Sequence, residues 1–305
     1  MKTLKTALAV ATLALVGLPA WSETTVKDPL AMAPADSEVV ISANVRKVID
    51  SALFKEATAG GEREKLETKL QVLKNLTGVD VLKEVDRLCL WGRVDRDESI
   101  VILAQGSFKS DGLIAILKAN DEYKTSEIKG QTMHQWFDKK EKRTKYGLVL
   151  SEGCAAIFNS TAAVEAALDA KESGKNLLSS DKKKLLPENR DDAALWGMLV
   201  KPDAKDSAKF KETLGVKSVA GAIVLGEKAV DVAVTAHAES AEKAGKLQDV
   251  ARGIMALGSL QGENAGVRKI ASGAKVGGEG DSASLQISVA NEELLALAKE
   301  KKDKK

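Results

Sequence analysis

Few residues in this chain are of a type that does chemistry. Histidine occurs only at His134 and His237, and cysteine only at Cys89 and Cys154. His134 and Trp136 stand two positions apart in a strand-like stretch, so their side chains share a face and form a candidate binding patch of imidazole and indole. The plainer role for Trp136, as for Trp91 and Trp196, is packing on a sheet face. A nucleophilic Cys154 would need a base, and His134 could supply it. Residue type alone supports that pair, because both cysteines lie in apolar runs, residues 87–91 and 153–158, where cysteine packs as a small hydrophobe. The even count also permits a disulfide, and that alternative stays open.

Other reagents are missing from the pattern. The glycines at 277, 278 and 280 fall between two strand-like runs, so they fit a hairpin turn needing positive φ rather than a phosphate cradle. Gly174-Lys175 and Gly245-Lys246 lack the upstream glycine of a phosphate loop, and no serine occupies a Gly-x-Ser-x-Gly elbow. Two distant histidines and two strand cysteines give no spaced metal-ligand set, so no metal and no cofactor are expected. The acid pairs Asp95 with Asp97 and Asp191 with Asp192 flank turns or strand starts, where they serve turn chemistry better than a glycosidase mechanism. Aromatics make up 4% of the chain, too few for a base-stacking or sugar-stacking platform.

The first 22 residues say where the protein works. Lys2 and Lys5 precede an apolar run over residues 7–18, and small residues at 20 and 22 stand before Glu23, the pattern of a secretory signal peptide cleaved near Ser22. That run is too short to span a bilayer of about 30 Å, and no later segment is longer, so no stable membrane insertion is expected after cleavage. No cysteine stands at the cleavage point to take a lipid anchor. The expected location is the periplasm or the extracellular medium.

Removing the leader also removes a charge excess. The whole chain has 46 Lys and Arg against 44 Asp and Glu, and the leader holds two lysines and no acid, which makes the remainder formally neutral. Nucleic acid is therefore not an expected partner. Basic clusters occur at 138–145 and in the tail 299–305; as mixed-sign runs they fit a solvated hairpin tip and a frayed end, with weak adhesion to an anionic envelope polymer as the alternative.

These residues must be positioned by elements whose order occurs twice. Each half opens with proline and acids (Pro34, Asp36, Glu38; Pro187, Glu188, Asp191), then a strand at 39–43 or 194–200. Helical spacing follows at 45–57 and 62–76, and at 207–214 in the second half. Each half then has a hairpin, 85–94 with 99–106 and 217–225 with 229–238, and a helix. Strands at 123–128, 132–137, 146–150 and 154–159 and a helix at 161–171 complete the first half. Strands at 274–278 and 282–290 and a helix at 291–299 complete the second. Val230, Val232 and Val234 alternate with polar or small residues, as do Leu285, Ile287 and Val289, which is the period of antiparallel sheet with one dry face. The expected fold is α+β: a lead-in over 23–36, then two related modules, 37–175 and 176–305, of mainly antiparallel sheet with helices packed on one face.

A strand ending in Gly106-Ser107-Phe108, a short helix, the run from Gly130 to His134 opening the next hairpin, and the proline, acid, strand openings resemble secreted bacterial proteins of unknown function with duplicated α+β modules. The resemblance implies fold and export and brings no catalytic residues. The expected function is a non-enzymatic binding or structural protein of the cell envelope, with an unidentified protein or envelope polymer as partner. The alternative is a periplasmic hydrolase or lyase whose carboxylate site assembles only in three dimensions.

Overall fold

The computed structural model describes residues 26–59, 61–200, 215–260 and 265–303. The leader and the expected helix at 207–214 lie outside the described residues. In chain order the elements are β1 (Val39–Asn44), α1 (Val45–Asp50), α2 (Ala52–Ala57), α3 (Glu62–Thr77), α4 (Val81–Glu84), β2 (Val85–Arg93), β3 (Arg96–Gly106) and α5 (Asp111–Lys118). Then come β4 (Lys124–Ile128), β5 (Gln131–Asp138), β6 (Arg143–Ser151), β7 (Cys154–Phe158), α6 (Thr161–Ser173) and β8 (Leu195–Val200). The chain closes with β9 (Val216–Leu225), β10 (Ala229–Ala238), α7 (Ala241–Leu260), α8 (Ala265–Gly273), β11 (Lys275–Gly277), β12 (Ser282–Ala290) and α9 (Asn291–Asp303). The fold is α+β with antiparallel strand pairing throughout these ladders.

Two compact units emerge, one of described residues 26–46 with 61–183, the other of 47–59 with those from 184 onward. In the first unit the strand order is β1-β2-β3-β7-β6-β5-β4, and in the second β8-β9-β10-β12-β11. The single helix expected over 45–57 is broken at Ser51. Its hydroxyl donates to the Val48 carbonyl and accepts from the Phe54 N–H, ending α1 and capping α2 in one step.

Cross-strand partners share a face, so the register sorts the first unit's core. Val40, Trp91, Val101 and Phe158 form one row and Cys89, Leu103, Ala156 and Leu148 the next, all buried. This face meets α6, which buries Val164, Ala167 and Leu168, and the segment before β1, which buries Leu30 and Met32. On the opposite face Leu88, Ala104, Ala155 and Val149 pack with Leu113 and Ile114 of α5, so this unit also carries helix on its second face. Burying a leucine or isoleucine side chain in this way stabilises by about 2 kcal/mol.

In the second unit α7, α8 and α9 pack on β12. Val230 and Val289 are buried while Asp231, Gln286 and Ser288 are exposed, the alternation that sequence predicts. Gly278 and Gly280 have φ of 122° and 58° in the β11–β12 turn, as a positive-φ hairpin turn requires.

Candidate functional site

Both apolar rows of the first unit's buried face give way, at one end of the sheet, to a row of polar residues. Asn44 of β1 pairs with Arg87 of β2, Arg87 with Gln105 of β3, Gln105 with Cys154 of β7, and Cys154 with Ser151 of β6. Five strands thus present asparagine, arginine, glutamine, cysteine and serine in register on one face. From Asn44 to Cys154 the row continues the regular ladder. The pairing shifts between Val149 and Ser151, and the extra residue brings Ser151 opposite Cys154, while a second shift between Val85 and Arg87 ends the regular ladder just beyond the row. A cleft of about 380 Å³ opens over the row, lined also by Val26, Lys27, Arg46, Asp86 and Glu152.

Glycine makes this end of the sheet possible. Gly106 donates its N–H to the Gly153 carbonyl and Ser107 donates to the Glu84 carbonyl, both at 2.8 Å. A β-carbon on Gly106 would lie 1.7 Å from the Glu84 oxygen. One on Gly153, whose φ is 67°, would lie 2.0 Å from the Gly106 oxygen. The close backbone approach leaves the cleft a wall of peptide groups rather than side chains.

The cleft's charges divide into paired and unpaired. Arg46 Nε donates to Asp86 Oδ1 at 2.9 Å and its Nη1 to the Leu82 carbonyl at 3.0 Å, which neutralises both charges locally. Arg87 has neither an ion pair nor a hydrogen bond among the described residues. Gln105 donates to the Val26 carbonyl, tying the segment before β1 to the row. Burial pushes the Cys154 thiol up to about 11, against the opposing influence of its Gln105 hydrogen bond and the Lys171 charge. Cys89, one row deeper, is pushed to about 12 by burial and then by the Asp28 charge. Both thiols are therefore protonated and weakly nucleophilic at neutral pH.

Both cysteines are free. They stand on β2 and β7 with β3 between them, so two strand spacings of about 4.8 Å separate them, beyond the reach of a disulfide. Cys154 and His134 lie on opposite faces of the sheet: Cys154 shares the face of Ala156 and Leu148, whereas His134 pairs with Gly147 beside Leu148. They form no nucleophile and base pair.

His134 is 1% exposed. Its Nδ1 meets the Tyr123 hydroxyl at 2.8 Å, and the two rings stack with centroids 6.0 Å apart. Burial, then the Lys118 charge, hold its pKa below the usual histidine value. Trp136, on the same face, is half-buried and pairs with Lys145. Lys145 itself is 3% exposed, bonded to Glu141 Oε2 at 2.8 Å and Asn159 Oδ1 at 2.7 Å. The basic segment 138–145 is thus partly folded inward. Arg143 also reaches Glu141 and Asp97, and Asp95 meets Arg93 and Arg96, so this acid pair serves the β2–β3 turn and its neighbours.

The second unit has a row at the matching place in its strand order. Val200 pairs with Ser218, Ser218 with His237 and His237 with Ser282. Ser218 is buried with its hydroxyl unpartnered, and His237 Nδ1 lies 3.7 Å from Asp281 Oδ1.

No protein-family model matches the chain, and no curated protein sequence matches it. Among solved structures the chain is similar to TP0453, a Treponema protein. Crystal form IV of TP0453 aligns with a TM-score of 0.50 at 10% identity, over 89% of this chain and 96% of that one. Form III gives 0.49 at 8% identity over 88% and 96%, and form I gives 0.46 at 11% identity over 91% and 98%. The likeness is one of fold.

The cleft row escapes a sequence reading. Its members are separated by 43, 18 and 49 positions, and only the strand register brings them together. The available signal was a polar residue at the end of each apolar strand: Asn44 closes β1 and Gln105 stands one residue from the end of β3.

Proposed function

We propose that the chain is an exported, non-enzymatic binding protein whose ligand site is the cleft over Asn44, Arg87, Gln105 and Cys154. The observation that carries this is the register of polar side chains along a face whose next two rows are closed and, apart from Ser42, apolar. Polar groups facing an open volume at the end of a core are maintained at a cost in burial, and a cleft of this size suits a small organic molecule. A thiol held protonated and an aspartate engaged by Arg46 offer no poised acid and base, which supports binding over turnover. The leader-type sequence at 1–22 supports export. Among the described residues no helix is long and apolar enough to cross a membrane.

The two units are best explained by duplication. The orders β1-β2-β3-β7-β6 and β8-β9-β10-β12-β11 correspond strand for strand, with β4 and β5 as an added hairpin. The links at the sheet end correspond as well: Gly106 to Gly153 and Ser107 to Glu84 in the first unit, Ala238 to Asp281 and Glu239 to Gly215 in the second. Asn159 and Asn291 each follow the last strand and donate a side-chain N–H to a carbonyl at the tip of the unit's first hairpin, Asp97 at the start of β3 at 2.7 Å and Glu227 in the β9–β10 turn at 3.0 Å.

The test is a thermal-shift screen of small polar compounds against the wild-type chain and Asn44→Trp, which fills the cleft. Compounds that raise the wild-type midpoint are expected to lose their effect in the variant. Hits that persist unchanged in Asn44→Trp would place binding elsewhere and end this reading.

A further inference from the structure

We infer that the ligand is a small organic monocarboxylate anchored by its carboxylate on Arg87. This rests on the cleft being a ligand site and names the chemistry it recognises.

Arg46 is paired with Asp86 through its Nε, although its Nη2 is buried without a partner, so the charges left facing the cleft are Lys27 and Arg87 against Glu152, an excess of one positive charge. Lys27 and Glu152 are exposed at the rim, where water and salt screen them. Arg87 is different. It is half-buried at the centre of the row, with no ion pair and no hydrogen bond among the described residues. A guanidinium drawn partly out of water without an acceptor is costly, and a carboxylate offsets that cost best because its two oxygens match the arginine fork.

The neighbours suit the same group. Asn44 and Gln105 flank Arg87 on either side in register, the Gln105 amide being held by the Val26 carbonyl and the Cys154 thiol. The Ser151 hydroxyl makes only a long 3.4 Å contact to the Glu152 carbonyl, which leaves it able to donate to a better acceptor. Beyond these polar groups the cleft is walled by the Cys154 thiol, the Gly106 and Gly153 backbone and Val26. A volume of about 380 Å³ leaves room for a short carbon skeleton beside the charge, more than a bare phosphate or sulfate needs.

The experiment is calorimetric titration of the purified chain with butyrate, with butyramide as its uncharged isostere, and with inorganic phosphate, all at one ionic strength. Butyrate is expected to bind about tenfold or more tightly than butyramide, and phosphate more weakly than butyrate. Arg87→Gln is expected to weaken butyrate about tenfold, with Arg87→Lys recovering only part, whereas Lys27→Gln at the exposed rim costs about twofold to threefold. An unchanged melting midpoint shows that Arg87→Gln is folded, and Lys27→Gln gives a second readout at a position the fold does not need. Equal binding of butyrate and butyramide would overturn the carboxylate and leave the cleft as a site for neutral molecules. Tighter binding of phosphate than of butyrate would also overturn it. Binding of none of the three would overturn it too, and an empty compound screen as well would remove the cleft reading with it.

Discussion

In the first unit the row at the end of the sheet runs Asn44, Arg87, Gln105, Cys154; in the second the matching row runs Val200, Ser218, His237, Ser282. Around both rows the backbone makes the same links, Gly106 to Gly153 in one and Ala238 to Asp281 in the other, each at 2.8 Å. What differs is what the backbone carries. Glycines at 106 and 153 let the first unit's chain segments approach until a β-carbon would collide, and long polar side chains then face an open cleft. The second unit has a side chain at Ala238, small residues in its row and a histidine next to an aspartate. Corresponding places in the two sheets thus carry different side chains, because the strand ladder is fixed by main-chain hydrogen bonds while the row's side chains sit beyond the packed core.

The largest test of that contrast is Gly106→Ala against Ala238→Gly. The first forces a methyl group to 1.7 Å from the Glu84 oxygen and is expected to cost about 3 kcal/mol or more. The second, at the equivalent place, should cost about 1 kcal/mol from backbone freedom and the lost methyl. Calorimetry on both variants decides it, and equal losses would break the comparison.

A smaller difference is expected between the two asparagines. Asn159→Ala removes the bond to the Asp97 carbonyl and also the Lys145 acceptor, leaving a buried ammonium with fewer partners, for about 2–3 kcal/mol. Asn291→Ala removes only turn contacts at 3.0 and 3.4 Å and should cost about 1 kcal/mol. Chemical denaturation of the two variants measures the gap.

The thiols predict a pH window. Folding raises Cys154 from 9.0 to about 11 and Cys89 from 9.0 to about 12, so the protonated thiols favour the folded state fully below pH 9. That contribution declines as pH climbs from 9 through 11 to 12. At pH 8 an aromatic disulfide reagent should leave both thiols unmodified in the native chain and titrate two after denaturation. As the pH is raised through 11, Cys154 should react first, because it lines the cleft and its thiol is raised less. Fast labelling of Cys89 ahead of Cys154 would contradict the assigned faces.

The smallest effect belongs to Ser218→Ala. Its hydroxyl is buried without a partner, so deleting it should change stability by less than about 0.5 kcal/mol and in the stabilising direction. A marked loss in a melting experiment would reveal a role for the second row that its side chains do not suggest.

Much of the scaffold was legible in the sequence. Period-two alternation in Val230, Val232 and Val234 announced antiparallel strands, and turn residues placed both first hairpins, because strand patterning and turn chemistry are local. The break at Ser51 was not, since serine inside a helical run signals a cap only once its hydroxyl's partners are known. Cys89 and Cys154 look alike in sequence, and only the register puts β3 between them. Lys145 read as part of a solvated tip and is instead held by Glu141 and Asn159, which come from different segments. The cleft row was the least visible feature, because it depends on the pairing of strands far apart in sequence and, at Ser151, on a ladder irregularity that no local residue pattern encodes.

The intervening strand that holds the two sulfurs apart also frees the protein from its surroundings. With no covalent staple to close and both thiols shielded as neutral groups, the first unit's fold demands no oxidase for maturation and gives reductants no bond to cut. Its integrity rests on packing and hydrogen bonds, which are the same in a reducing compartment as in an oxidising one.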